Sequence, residues 1–216
     1  MLTACESVTA GTARTDTRPA PPIVLPNQIE SVLPPVAMIK QIVDEPELLQ
    51  GASLRGVSLL PDWFLPDSSC AGSLFAAAEP AYAEHPPMRG SLLTRPRSPR
   101  NRSVTTAVLI YHTPRQAEAL VARMVARWRG CANKTAITNP HGGPQQKWTL
   151  GTPGESGPIH TLYNSVEGGG GYGCARGIAS ENNVVSDIEN CGTAGEATLT
   201  EQAVALVDAV IAKIPT

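Results

Sequence analysis

The residues with the most chemistry to offer are five cysteines, Cys5, Cys70, Cys131, Cys174 and Cys191. None forms a C-x-x-C pair, no H-E-x-x-H occurs, and His85, His112, His141 and His160 are scattered singly. That spacing supports no metal site, and neither a metal nor any other cofactor is expected. Four well-separated cysteines plus an odd one near the start read instead as two disulfides and one special thiol, hence an oxidising compartment. Asn182-Asn183 lies between two strand-like runs, and Asn tolerates the left-handed backbone that a two-residue hairpin turn needs. With that turn, paired residue numbers sum to 365. Cys174 then faces Cys191 at a non-hydrogen-bonded position, where backbones approach within disulfide reach. Cys70 is left for Cys131, provided no bulge shifts the register.

The same register sets Arg176 opposite Glu189, with Asp187 and Asn183 nearby. Two readings compete. In one, Arg176 and Glu189 form a structural cross-strand ion pair. In the other, Arg176, Asn183 and Asp187 line a cleft opened by the Gly168–Gly171 loop, with Trp148 and Tyr82 adding apolar contact and a hydroxyl. On the cleft reading, Arg176→Ala spares the melting temperature and abolishes binding. Catalytic motifs are weaker. His141-Gly142-Gly143 is like the oxyanion loop of esterases, but Gly154-Glu155-Ser156-Gly157 is no nucleophile elbow and lies in a turn. Gly168, Gly170 and Gly173 fit G-x-G-x-x-G, yet that stretch joins two strands and opens no helix, so nothing there cradles a phosphate. No carboxylate pair is placed for acid–base work. The expectation is a binding module and not an enzyme.

The elements that must position these residues are legible in part. Residues 35–44 form a short amphipathic helix after Pro34 and Pro35, and 54–60 a strand. A helix runs from about Cys70 to Tyr82, capped by Asp67, Ser68 or Ser69. A short strand at 91–94 lies within a Pro- and Arg-rich connection. Val104 to Tyr111 is the clearest strand. Thr113 and Pro114 open a helix whose inward stripe is Ala117, Leu120, Val121, Met124, Val125 and Trp128, stopped by Gly130. Strands follow at 134–138, 145–150, 159–166, 172–180 and 184–190, with 151–158 as a turn. A last helix spans about 200–214, capped by Thr198 or Thr200. Consecutive strands with short turns pair antiparallel, and amphipathic helices cover them. The fold class is therefore α+β: an antiparallel β-sheet packed with several α-helices, two disulfides and a disordered N-terminal tether.

The 216 residues suffice for one domain with a core plus a tail. A net charge of −2 gives no electrostatic support to nucleic-acid binding, which is not expected. Arg95, Arg97, Arg100 and Arg102 cluster, but beside Pro96 and Pro99, as a solvated loop. No apolar run approaches the ~18–20 residues that span a bilayer. Leu2-Thr3-Ala4-Cys5 resembles a bacterial lipobox, in which the cysteine becomes the lipid-modified first residue. The basic and apolar stretches that accompany a lipobox are expected upstream. The Thr-, Ala- and Pro-rich residues up to Gln28 have no periodicity and read as a spacer. The domain division is thus 1–28 as lipobox remnant and tether, and 29–216 as the folded domain.

The carboxy-terminal two-thirds resembles the extracellular sensor domain of the mycobacterial serine/threonine kinase PknH, a family whose domain also occurs in free-standing mycobacterial lipoproteins. The shared features run in order: Cys70 to Tyr82, a β-branched strand into a helix ending Trp128-x-x-Cys131, then Gln146-Lys147-Trp148-x-x-Gly151. Cys174-Ala-Arg176 and Asn182-Asn183-Val184-Val185-x-Asp187 before Cys191 follow, with a closing apolar helix. No kinase motif is present. The resemblance implies an antiparallel sheet with helices, two disulfides and a cleft for an unidentified ligand. The expected function is a lipid-anchored domain outside the bacterial cytoplasmic membrane that binds a small molecule or cell-wall fragment. A protein-interaction or structural lipoprotein, and an unrecognised hydrolase, are the rival readings. The anchor is testable: produced with a full signal peptide, the chain should partition into detergent and Cys5→Ser should release it. Wild-type protein wholly in the aqueous phase would count against lipidation.

Overall fold

The computed structural model describes residues 22–57, 64–82, 90–94, 96–98, 100–140 and 143–215. Cys5 and most of the expected tether lie outside the described residues, as do His85, Arg95, Pro99, the His141-Gly142 pair and residues 58–60 of the expected first strand. The chain opens with a 3-10 turn, Pro26–Gln28, then helices α1 (Ile29–Val32) and α2 (Val36–Val43) and strand β1 (Ser53–Arg55). A second 3-10 turn, Ser68–Cys70, leads into α3 (Ala71–Leu74), α4 (Glu79–Tyr82), β2 (Gly90–Thr94) and β3 (Ser103–Ile110). Helix α5 (Pro114–Cys131) precedes β4 (Thr135–Thr138), β5 (Gln146–Leu150), β6 (Gly154–Ser156), β7 (Ile159–Val166), β8 (Gly173–Glu181), β9 (Val184–Gly192) and α6 (Glu196–Ile211). The strands form one antiparallel sheet in the order β1-β2-β3-β9-β8-β7-β5-β4, with β6 on β7.

The β8–β9 hairpin holds its register without a bulge, from Glu181↔Val184 through Cys174↔Cys191 to Gly173↔Gly192. Asn182 takes the positive φ of 50° that the turn demands. Because side chains alternate, the two strands send Arg176, Ile178, Val185 and Asp187 to one face and Ala175, Gly177, Ala179 and Ile188 to the other. Helix α5 covers the first face with Leu120, Met124 and Trp128, all fully buried. Helix α6 covers the second with Leu199, Ala203, Leu206 and Val207. Gly177 permits that approach, since a Cβ there would lie 3.0 Å from Val207 and 3.2 Å from the Ala203 carbonyl. Both expected disulfides form: Cys70–Cys131 and Cys174–Cys191.

Several expectations are corrected. The helix expected over Cys70–Tyr82 is two short turns separated at Phe75–Ala78, where Ala77 has a φ of 50°. Gly130 does not stop α5, which runs on to Cys131, the residue tied to Cys70. Thr113 does cap that helix, accepting from the Gln116 N–H. Helix α6 starts four residues early at Glu196, behind Gly195 with a φ of 86°, so neither Thr198 nor Thr200 is its cap. The stretch expected as a turn at 151–158 contains β6, an exposed strand on the edge of β7.

The packed part also begins before Gln28. Val24 is buried, its N–H donates to Asn183 Oδ1 at 2.8 Å, and its carbonyl accepts from Asn183 Nδ2 at 2.9 Å. Asn182 Nδ2 donates to the carbonyls of Pro22 and Pro215, bringing both ends of the described chain to the hairpin tip.

Non-reducing peptide mapping should recover Cys70–Cys131 and Cys174–Cys191. A peptide joining Cys131 to Cys174 would contradict the register. Removing the first bridge, which closes a 61-residue separation, should lower stability in urea by about 4 kcal/mol on the loop-entropy account.

Candidate functional site

The break in the 70–82 segment follows from what lies beneath it. The carboxylate of Asp187 accepts the Ala77 N–H at 2.8 Å, the Tyr82 hydroxyl and the Arg176 Nη2 group. Glu189 Oε2 accepts the Ala76 N–H at 2.9 Å. Those two amides are taken out of a helical ladder by charged acceptors on β9, which make stronger hydrogen bonds than a neutral carbonyl does. The carbonyls at the end of α3 are met in the same way. Gly72 O accepts from Arg176 Nη1 at 2.8 Å and from the Trp128 indole at 2.7 Å, and Ser73 O accepts from Asn164 Nδ2 at 2.7 Å. Gly72 sits so close to Ala81 and Met124 that a Cβ there would lie 2.7 and 2.9 Å from them.

Arg176 is 0% exposed and fully committed. Its Nε donates to Ile188 O at 3.1 Å, and its guanidinium lies 5.4 Å from the Trp128 ring centroid. Its salt bridge is to Asp187, not to the Glu189 that faces it across the ladder, so the expected Arg176–Glu189 pair is corrected. Tyr82, Arg176 and Asp187 are thus brought together, all buried. Asn183 is elsewhere, at the hairpin tip, buried and donating to Val24 O and Tyr111 O. Trp148 is apart from both groups, its indole donating to Thr138 Oγ1 at 3.0 Å.

Trp148 instead borders an open cleft of about 490 Å³ at the far end of the hairpin. Its ring meets Tyr172 edge-on at 6.4 Å, and Phe64 and Phe75 meet at 5.6 Å on the same rim. The Cys174–Cys191 bridge and Glu189 also line it. Gly169, in the turn after β7, forms part of the border, where the Gly168–Gly171 loop was expected. Burial holds the Tyr172 hydroxyl above its ordinary pKa; the Glu189 charge adds to this, and a hydrogen bond with Ser103 offsets it in part. Tyr172, Phe64, Phe75 and Glu189 were not among the expected ligand residues. The first three carry no local motif, and Glu189 reads from sequence only as a partner for Arg176.

Breaking a buried pair leaves one charge uncompensated, at about 3–5 kcal/mol. Arg176→Ala should therefore lower stability in urea by about that much, reversing the unchanged melting temperature that the cleft reading required of this residue. An unchanged midpoint would show that the pair does not hold the fold.

The tyrosines add a pH dependence. Burial, then the Asp187 charge, hold Tyr82 well above the ordinary tyrosine pKa, and burial does the same for Tyr111. Unfolded tyrosines release their protons near pH ~10, so above that pH the unfolded state binds fewer protons than the folded one and stability falls. Urea midpoints should drop above about pH 10, and less steeply in Tyr82→Phe. The same slope in both proteins would contradict the assignment.

Residues 24–213 match the family model described as the PknH-like extracellular domain. Serine/threonine-protein kinases PknH from Mycobacterium bovis and Mycobacterium tuberculosis are each 32% identical over 130 residues, 59% of this chain. The matched stretch is 21% and 20% of those kinases, so the chain spans about a fifth of the length of the curated relatives it matches. The crystal structure of the extracellular domain of PknH from Mycobacterium tuberculosis aligns with a TM-score of 0.79 at 23% identity, covering 89% of this chain and 97% of that one. At that identity the likeness establishes the fold.

Proposed function

Because this chain belongs to the PknH-like extracellular domain family, we propose that it is an extracytoplasmic sensor-like module that binds a small molecule or cell-wall fragment in the aromatic cleft beside Trp148. The observation that carries this reading is the cleft's composition. Partly exposed rings of Phe64, Phe75 and Tyr172 offer apolar surface, Trp148 backs them at 5% exposure, and Glu189 adds a half-buried carboxylate to the lining. Aromatic walls with a few convergent polar groups suit a sugar-like or amphipathic solute. In this reading Trp148 keeps the ligand role expected from sequence, while Tyr82, Arg176 and Asp187 act from behind as positioning residues. Glu189 joins the two sets, since it borders the cleft and also holds the Ala76 N–H.

Placement supports a role outside the membrane. No helix among the described residues is long and apolar enough to cross a bilayer. The chain enters the fold at the Asn182–Asn183 tip. The cleft lies at the Cys174–Cys191 end, eight residues along β8, or roughly 26 Å at the usual strand rise. A domain tethered through its N-terminal segment, by a lipid on Cys5, thus presents the cleft away from the membrane.

A specific observation favours the second reading, protein interaction. Leu49 and Leu54 are exposed beside a depression of about 460 Å³ at the β1 edge of the sheet. Exposed apolar residues on an edge strand are a template for another chain.

One experiment separates the two. Native mass spectrometry of the exported protein should show a bound small molecule, absent from Tyr172→Ala and retained in Leu54→Ser. Protein with no adduct, and no heat on titration with soluble peptidoglycan fragments, would overturn the cleft reading.

A further inference from the structure

A second concavity, of about 270 Å³, lies on the other face of the sheet, where β9 ends and α6 begins. Two oppositely charged side chains line it, and each is only 7% exposed: Arg102 and Glu45. They do not meet. Arg102 Nη2 donates to Gln202 Oε1, its Nε has no hydrogen-bond partner, and among the described residues no carboxylate lies within 4.0 Å of it. Burial pulls its pKa down, and the nearby Glu45 and Tyr172 offset this only in part. Among the described residues, the Glu45 carboxylate accepts only the Glu47 N–H, at 3.2 Å. The neighbouring Arg100 is already engaged by Glu47 at 3.1 Å, and Asp44 on the rim is exposed.

Two further features aim the Arg102 side at an anion. Helix α6 starts behind Gly195 with no side-chain cap, so its first N–H groups are open to an acceptor. Thr193 and Thr198 line the same wall. Gly192 keeps the arginine in place: a Cβ at that position would lie 2.7 Å from Arg102 Nη1 and 2.9 Å from its Cδ. A carboxylate suits this side. The Glu45 side calls for a cation.

We propose that this pocket is a second binding site, separate from the aromatic cleft, for a small zwitterion of the α-amino-acid type, its carboxylate on Arg102 and the start of α6 and its ammonium group on Glu45. A free amino acid and the two ends of a very short peptide share that chemistry. The site is independent of the cleft, and a failure of either leaves the other standing.

Calorimetric titration of the whole chain with alanine, dialanine, acetate and ethylammonium tests it. Alanine or dialanine should bind, and whichever binds tighter names the source. Acetate and ethylammonium, each carrying one of the two charges, should bind at least tenfold more weakly. Arg102→Gln and Glu45→Gln should each weaken binding by at least tenfold, whereas Phe75→Ala in the cleft should leave it unchanged. No heat from either zwitterion up to about 10 mM would overturn the proposal. So would acetate binding as tightly as alanine, which would make the pocket a plain anion site. If a variant fails to fold, the comparison of zwitterion with its two halves on the wild-type chain still decides.

Discussion

Between α5, the broken 71–82 segment and strands β8 and β9 sit an arginine and an aspartate with no access to water. Desolvating two charges costs several kcal/mol each, and their attraction repays it only where the remaining donors and acceptors are satisfied. Here they are satisfied by the backbone of the broken segment: Arg176 reaches Gly72 O, and Asp187 takes the Ala77 N–H and the Tyr82 hydroxyl. The pair and the break therefore require each other. A continuous helix over 70–82 would engage the Ala77 amide in its own ladder and leave the carboxylate short of donors. With the break in place, Phe75 is brought to the rim of the cleft and Cys70 to the end of α5.

The hairpin register was legible because it depends on local chemistry, a pair of asparagines between two strand-like runs, and because strand side chains repeat every two residues. It carried the Cys174–Cys191 bridge with it. The ion pair was not legible in the same way. Backbone register fixes which Cα atoms face each other, but a guanidinium reaches diagonally, and Glu189 is drawn off by the Ala76 N–H, 113 positions away in sequence. The broken helix failed for a related reason. Its alanine-rich sequence favours helix locally, and the acceptors that override this preference lie on a strand more than 100 residues later. The docking of Val24 on Asn183 spans 159 positions and is equally invisible to a local reading.

At the candidate site, the sequence found Trp148 and the glycine-rich border but grouped them with Arg176, Asn183 and Asp187, which the fold sends into the interior or to the opposite tip of the hairpin. Conspicuous polar residues in a β-rich domain drew attention as ligand contacts. In the fold they are spent on holding backbone in unusual places, and the accessible surface is left to aromatic side chains with no motif.

The central claim is that the Arg176–Asp187 pair fixes the broken segment to the sheet, and amide hydrogen exchange at Ala77 tests it most directly. The comparison is between the wild type and an Arg176→Met/Asp187→Leu double variant, in which apolar side chains replace both charges and leave no uncompensated ion. The account predicts that the Ala77 amide, slow to exchange in the wild type, exchanges much faster in the variant while amides in the centre of β8 keep their protection. Ala77 protection that stays in step with the β8 amides in both proteins would contradict it.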